Sequence, residues 1–232
     1  MADTVSVDVR ESGSGLDGAA APSKPTRRPT KARSPLRSVA LPSEHGGWGL
    51  TLEPVLLGLL VAHSVAALCL GLATVLAFLA RTPLKLAAVD ARRGRTLDRT
   101  RLAHKVAAVE IVALVALLAV AFATATPGFW WPILGIAPLM AVELSYDIRS
   151  RSRRLVPELA GAVGIAGMTS MMVLAGGRST SVALGLWAIL AARAIAAIPT
   201  IRDQVMKLHG RPAHPALPVI GDVVAVVVVV VA

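Results

Sequence analysis

The chain has 232 residues, of which 55% are apolar, and it carries a formal net charge of +10 with a mean hydropathy of +0.66. That hydropathy excludes an ordinary soluble domain. The positive charge falls in alternate gaps between apolar segments, which is typical of a membrane topology signal and not of nucleic-acid binding. A single cysteine, Cys69, excludes an intrachain disulfide.

Residues 1–40 are rich in Ser, Pro, Gly, Ala and Thr, with an acidic first half and a basic second half. Such a composition buries too little apolar surface to offset the entropy of ordering, so we predict a disordered cytoplasmic tail. Its basic half is typical of a topology signal, and contact with lipid headgroups is the alternative. Residues 41–232 are predicted to form a transmembrane helical domain.

Six apolar segments and the start of a seventh follow the tail, at roughly 47–64, 66–84, 105–125, 128–146, 156–176, 180–201 and 217–232. Six of them approach or exceed the ~20 residues that cross about 30 Å of hydrocarbon. They predict an all-α, polytopic transmembrane helical bundle of six spans plus a partial seventh. The seventh is short and ends in a run of valines, so we expect a C-terminus that is truncated or frameshifted.

Lysine and arginine residues occupy the tail and every second gap between the apolar segments. Because short basic loops stay in the cytoplasm, the sequence predicts a plasma-membrane protein with a cytoplasmic N-terminus. The other connections are very short, at residues 63–65, 126–128 and 177–179. They predict antiparallel hairpins of the first with the second, the third with the fourth, and the fifth with the sixth segment.

The fifth segment carries a clear packing signal. Ala160, Gly161, Gly164 and Gly167 place small residues on one helical face. Since small residues let helix backbones approach closely, we predict that a neighbouring helix packs on this face.

Several charged side chains lie within the apolar segments, where each costs about 2.5 to 3.5 kcal/mol on insertion scales. They are all nearer the cytoplasmic ends, so we predict a polar cavity that opens to the cytoplasm. The candidate ligand-binding residues of this cavity are Glu44, His45, Glu53, Glu110, Asp147, Glu158 and Arg193. The alternative is a set of structural ion pairs, for example between Arg193 and either Glu110 or Glu53.

Two local patterns accompany these candidates. Glu44 and His45 stand beside glycines and an interfacial tryptophan, Trp48, where the first segment enters the membrane. A basic loop before the fifth segment carries Arg149, Arg151, Arg153 and Arg154. Arginines that face a helix start favour phosphate or carboxylate groups, so this loop is a candidate anion-binding site, with a pure topology signal as the alternative.

The motif at residues 42–49, together with Glu53-Pro54, residues 146–154, residues 157–161 and Arg193, resembles the YwiC-like family of bacterial integral membrane proteins. The resemblance covers most of residues 40–212. It implies a membrane location and does not imply a reaction.

The order of features is also similar to the UbiA prenyltransferase superfamily. Members of that superfamily hold Mg²⁺ and a prenyl diphosphate with Asp-rich motifs after their second and sixth helices. The similarity implies a UbiA-like arrangement of helices, with Asp90 and Asp98 as metal ligands. Only these two aspartates remain of the first motif, and the second is reduced to Arg202-Asp203.

The leading hypothesis is therefore a membrane protein whose cytoplasm-facing cavity binds an amphipathic or anionic small molecule. Membrane lipids and an isoprenoid ligand are the expected partners, and nucleic acid is not. One alternative is a UbiA-like transferase of isoprenoid or lipid groups that uses Mg²⁺; no cofactor is expected otherwise. The second alternative is a proton-coupled small-molecule transporter, in which buried carboxylates relay protons.

Overall fold

A computed structural model describes residues 35–41, 45–94, 97–149, 154–210 and 216–231, and all regular structure within these ranges is helical. The prediction of an all-α fold is confirmed for them. Eight helices are present in the described ranges: α1 (Pro35–Ala40), α2 (His45–Val61), α3 (Val65–Arg92), α4 (Asp98–Thr124), α5 (Ile133–Ile148), α6 (Leu155–Ala175), α7 (Thr180–Leu208) and α8 (Ala216–Val231).

Each predicted apolar segment overlaps one of the helices α2 to α8, and α5 begins at Ile133 and not at the predicted residue 128. Four of these, α3, α4, α6 and α7, are long and apolar enough to cross a membrane by length and composition. The segment Gly46–Val61 of α2 and the helix α8 are shorter and also apolar. The helices α3 and α7 extend beyond the predicted ends at residues 84 and 201, because neither Pro83 nor Pro199 stops its helix.

Most of the predicted tail lies outside the described residues, but its last part does not. Residues 35–40 form α1, which packs against α3 and α4. Val39 of this short helix is buried. The described part of the tail is therefore tied to the bundle by an apolar contact.

The helix α6 packs against α2, α3, α5 and α7. On the side that faces α5, a Cβ atom added at Gly161 would lie 2.6 Å from Cδ of Glu143, and one added at Gly164 would lie 2.9 Å from Sδ of Met140. Ala160 is buried as well. The predicted small-residue face is confirmed, and its absent side chains are what lets α5 approach so closely.

Hydroxyl groups of α6 also bond to neighbouring helices. Thr169 donates to the carbonyl of Pro54 in α2 at 2.9 Å, and Ser170 donates to the carbonyl of Ala183 in α7 at 3.0 Å. From the other direction, Trp187 of α7 donates its indole N–H to a carbonyl of α6 at 2.9 Å. Such bonds fix the register of α2 and α7 along α6, because lipid offers no competing partner.

The predicted hairpin of the third and fourth segments is wrong as a pair of packed neighbours. The helices α2 and α3 pack together, as do α6 and α7, but α4 packs on α3 whereas α5 packs on α6. The connection between α4 and α5 instead crosses the end of α6, where the N–H and hydroxyl of Thr126 donate to the carbonyl of Ala175. A short connection fixes where two helices meet but not whether they pack along their lengths.

Candidate functional site

The charged side chains of the bundle meet in groups that join different helices. The largest group links α3 to α5. Arg81 contacts Glu143 Oε1 through Nη1 and Asp147 Oδ2 through Nε, both at 2.8 Å. Lys85 Nζ lies 2.6 Å from the other oxygen of Asp147. The two cations are four residues apart, as are the two acids, so each pair lies on one helix face and the two faces match.

This α3–α5 cluster is closed to solvent on its acidic side. The side chain of Asp147 is 3% exposed, whereas those of Arg81 and Lys85 are 30% and 37% exposed. Gly161 of α6 lies directly behind Glu143, at the distance given above. The cluster therefore holds the C-terminal part of α5 against both α3 and α6.

Asp90 is the second focus of charge. It is 1% exposed, and its two oxygens accept hydrogen bonds from Thr100 at 2.6 Å and from Arg99 at 3.1 Å. Asp98 begins α4 and is exposed. Among the described residues no group of three His, Cys, Asp or Glu side chains is placed to hold a metal ion. With Asp90 already bonded to Thr100 and Arg99, these donors do not fit a Mg²⁺ site.

A third contact joins helices that do not pack along each other. Glu53 of α2 and Arg193 of α7 form an ion pair, although α2 and α7 meet the bundle mainly through α6. Their side chains are 37% and 53% exposed. The sequence left two partners open for Arg193, Glu110 and Glu53. In the structure Arg193 pairs with Glu53.

The charges at the C-terminal end of α7 form two further contacts. Arg202 Nη1 lies 3.1 Å from Glu158 Oε2 of α6, and Lys207 Nζ lies 2.6 Å from Asp203 Oδ2 one turn away. A cavity of about 250 Å³ opens beside them, lined by Pro199, Arg202, Asp203, Met206 and Leu217.

Glu110 lies apart from these groups. It is partly buried in α4, and among the described residues its Oε2 has no hydrogen-bond partner. Two other buried oxygens share this property within the described ranges, the hydroxyl of Thr51 and Oδ1 of Asp203.

The part of the chain that matches a known protein family corresponds to α2 to α6. The sequence model of the YwiC-like protein family matches residues 41–174, more than half of the chain, from the start of α2 almost to the end of α6. The chain belongs to the YwiC-like protein family. Searches of curated proteins and of solved structures gave no match.

The matched part of this YwiC-like chain contains most of the residues predicted for the cavity, whereas Arg193 lies beyond it. The structure joins Glu53 to Arg193, Asp147 to two cations and Glu158 to Arg202, and it leaves Glu110 separate.

The predicted anion-binding loop of the YwiC-like chain is described only at its edges. Arg149 and Arg154 are exposed, and Arg149 donates to the carbonyl of Ser145 at 3.4 Å. Glu44, Arg151 and Arg153 lie outside the described residues, and His45 is described only as the first residue of α2.

Sequence reasoning did not select Arg81, Lys85 or Arg202 as site residues of this YwiC-like protein. They stand among other basic residues of the gaps that the sequence predicts to be cytoplasmic, where positive charge is expected in any case. The available signal was the four-residue spacing of Arg81 and Lys85, which matches that of the acids at 143 and 147.

Proposed function

We propose that this YwiC-like protein spans the plasma membrane with its N-terminus in the cytoplasm, and that α2 to α7 supply six spans and α8 a partial seventh. Four helices of sufficient length and hydropathy support this proposal. The placement of the basic residues in alternate gaps supports the orientation.

We further propose that the protein binds an amphipathic, anionic small molecule in a polar cavity between α2 and α7. The observation that carries this proposal is the exposure of Arg193. Its guanidinium lies in a helix apolar enough to cross a membrane, and half of its side chain is not covered by protein. A charge at such a depth needs water, a counter-ion or a polar ligand around it.

The depth of Arg193 follows from the length of α7. It lies thirteen residues after Thr180, roughly 20 Å along the helix at 1.5 Å per residue, and therefore within about 30 Å of hydrocarbon. A guanidinium has five N–H donors in a fixed fork, and one carboxylate accepts at most two of them. Glu53 alone thus leaves donors that a carboxylate or phosphate group of a ligand would accept.

Native mass spectrometry of the detergent-purified full chain tests this proposal, with bound lipids extracted and identified from the same sample. We expect a stoichiometric anionic amphiphile that is retained by the wild type and lost from Arg193→Ala. The matched control is Arg178→Ala, which removes an arginine just before α7 and is expected to retain the adduct.

A second variant separates ligand binding from a purely structural ion pair. In Glu53→Gln the competing carboxylate is removed while Arg193 stays, so we expect the amphiphile to be retained at higher occupancy. If the ion pair is purely structural, Glu53→Gln should not raise the occupancy of the amphiphile. Loss of either partner should then destabilise the fold equally. A folded wild type with no adduct, or equal adducts on wild type and Arg193→Ala, would overturn the proposal.

Proton-coupled transport is a second candidate, and the observation that favours it is Glu110. A carboxyl group in a membrane-length helix, with a buried oxygen that has no partner among the described residues, is a candidate proton carrier. The test uses proteoliposomes loaded with a pH-sensitive dye and given an inward proton gradient. We expect Glu110→Gln to abolish any flux that wild type and Glu53→Gln both support, and equal flux in all three would exclude this role.

A further inference from the structure

The cavity at the cytoplasmic end of α7 is lined by Asp203, a carboxylate with a partner on only one of its two oxygens. The Asp203 side chain is 8% exposed, and its Oδ2 lies 2.6 Å from Lys207 Nζ. Its Oδ1 is buried and has no hydrogen-bond partner among the described residues. A buried charged acceptor without a donor costs free energy, so a donor group beside it would be bound favourably.

The same cavity is also lined by a cation, which would bind an anionic group of a ligand. Arg202 precedes Asp203 in the helix and also lines the cavity. Its Nη1 contacts Glu158 at 3.1 Å, its side chain is 36% exposed, and its fork has further N–H donors. The cavity therefore presents an acceptor and a set of donors side by side, which complements a ligand with an ammonium group next to an anion.

The rest of the lining and the position along α7 narrow the class of ligand. Pro199, Met206 and Leu217 make the other walls apolar, and Leu217 begins the exposed apolar surface of α8. Asp203 lies 23 residues after Thr180, roughly 35 Å along the helix at 1.5 Å per residue. Since the hydrocarbon layer is about 30 Å thick, the cavity lies at the level of the cytoplasmic headgroups.

We infer that this cavity binds the headgroup of a phosphoethanolamine lipid from the cytoplasmic leaflet. The primary ammonium donates to the carboxylate of Asp203, and the phosphate accepts from Arg202. Since Oδ1 is buried, the carboxylate turns about its Cβ–Cγ bond to present an oxygen to the cavity, and such terminal torsions have broad minima. The acyl chains lie along the apolar side chains of α8. The site is separate from Arg193 and does not depend on the ligand proposed there.

Phosphatidylcholine provides a matched probe, because its quaternary ammonium has the same charge but no N–H donor. Native mass spectrometry of the full chain, released from nanodiscs of equimolar phosphatidylethanolamine and phosphatidylcholine, measures which lipid is retained. We expect a preference of about tenfold for phosphatidylethanolamine, the effect of one hydrogen bond to a charged group. Equal retention of the two lipids would overturn the inference.

Two variants and one control locate the preference. Asp203→Asn is expected to abolish the preference for phosphatidylethanolamine. Met206→Phe is also expected to abolish this preference, because the larger side chain fills the cavity while Arg202 and Asp203 keep their charges. Asp222→Asn, which removes an exposed acid of α8, is expected to leave it unchanged. A preference that survives in Asp203→Asn would overturn the inference.

Soluble glycerophosphoethanolamine distinguishes a lipid headgroup from a free zwitterion. It carries the same ammonium and phosphodiester groups without acyl chains, so we expect it to displace the bound lipid only weakly. Complete displacement at an equal concentration would overturn the assignment to a lipid and transfer the site to the free zwitterion.

Discussion

The Nε atom of Arg81 lies 2.8 Å from a carboxylate oxygen of Asp147, although 66 residues separate them in the chain. The contact joins α3 to α5, two helices that are not consecutive. Because Asp147 is almost fully buried and Arg81 also holds Glu143, this relationship sets where the C-terminal part of α5 lies.

Replacing Asp147 with asparagine should destabilise the bundle by about 3 kcal/mol. That is the lower end of what removing one partner of a buried ion pair costs, because the two cations are partly exposed. Unfolding by a denaturing detergent, followed by circular dichroism, measures the change. Asp98→Asn is the control, since Asp98 is exposed at a helix start, and its loss should cost less than about 1 kcal/mol. Equal effects of the two variants would mean that the cluster does not stabilise the fold.

A methyl group at Gly161 should weaken the same cluster from the side of α6. The Cβ of Gly161→Ala would lie 2.6 Å from Cδ of Glu143, so the carboxylate that Arg81 contacts must shift from its position. We expect a loss of about 1 to 3 kcal/mol in the same unfolding measurement.

Gly185 in α7 provides the matched control for this substitution. It has no atom within 4 Å of an added Cβ, so Gly185→Ala should be neutral or should stabilise its helix by about 0.5 to 1 kcal/mol. If Gly161→Ala behaved like Gly185→Ala, the close approach of α5 and α6 would not be as described.

The hydrogen bond from Thr169 to Pro54 should contribute measurably to the contact of α2 with α6. Thr169→Val keeps the shape of the side chain and removes its donor, and we expect a cost of about 0.6 to 1.7 kcal/mol. Thr124→Val is the control, because Thr124 is exposed and bonds to a carbonyl of its own helix. The comparison uses the unfolding midpoint of each variant in one detergent, and a cost no larger than that of the control would contradict the assignment.

Mg²⁺ should leave the thermal stability of the purified protein unchanged, because both oxygens of Asp90 are already held by Thr100 and Arg99. Asp90→Ala should lower the melting temperature with or without the metal, since it frees the turn between α3 and α4. A stabilisation by Mg²⁺ with a prenyl diphosphate that disappears in Asp90→Ala would instead favour the transferase alternative.

The helices were predictable because their signals are local. An apolar stretch of sufficient length specifies a helix whatever surrounds it, and the small residues at 160–167 mark a packed face by their spacing alone. The separation of α4 from α5 was not predictable in this way. It depends on the bonds of Thr126 to the end of α6, which is distant in sequence.

The candidate site was predictable in its charges but not in its partners. Glu53 and Arg193 stand out because a charge inside an apolar segment is costly, and the sequence offered their pairing as one of two alternatives. Arg81 and Lys85 did not stand out, since their charge is indistinguishable from a topology signal. Oδ1 of Asp203 has no hydrogen-bond partner among the described residues, which is a property of the folded bundle that leaves no mark in the sequence.

The helix α6 touches α2, α3, α5 and α7, yet it follows three of them in the chain. Between the end of α2 at residue 61 and the start of α6 at residue 155, a ribosome working at about 5 to 20 residues per second needs roughly 5 to 20 seconds. During that interval the face of α2 that packs on α6 has no α6 to contact, and Arg193, the partner of Glu53, is made later still. Folding of this protein therefore includes a period in which α2 and α3 exist without the helix that packs against both of them.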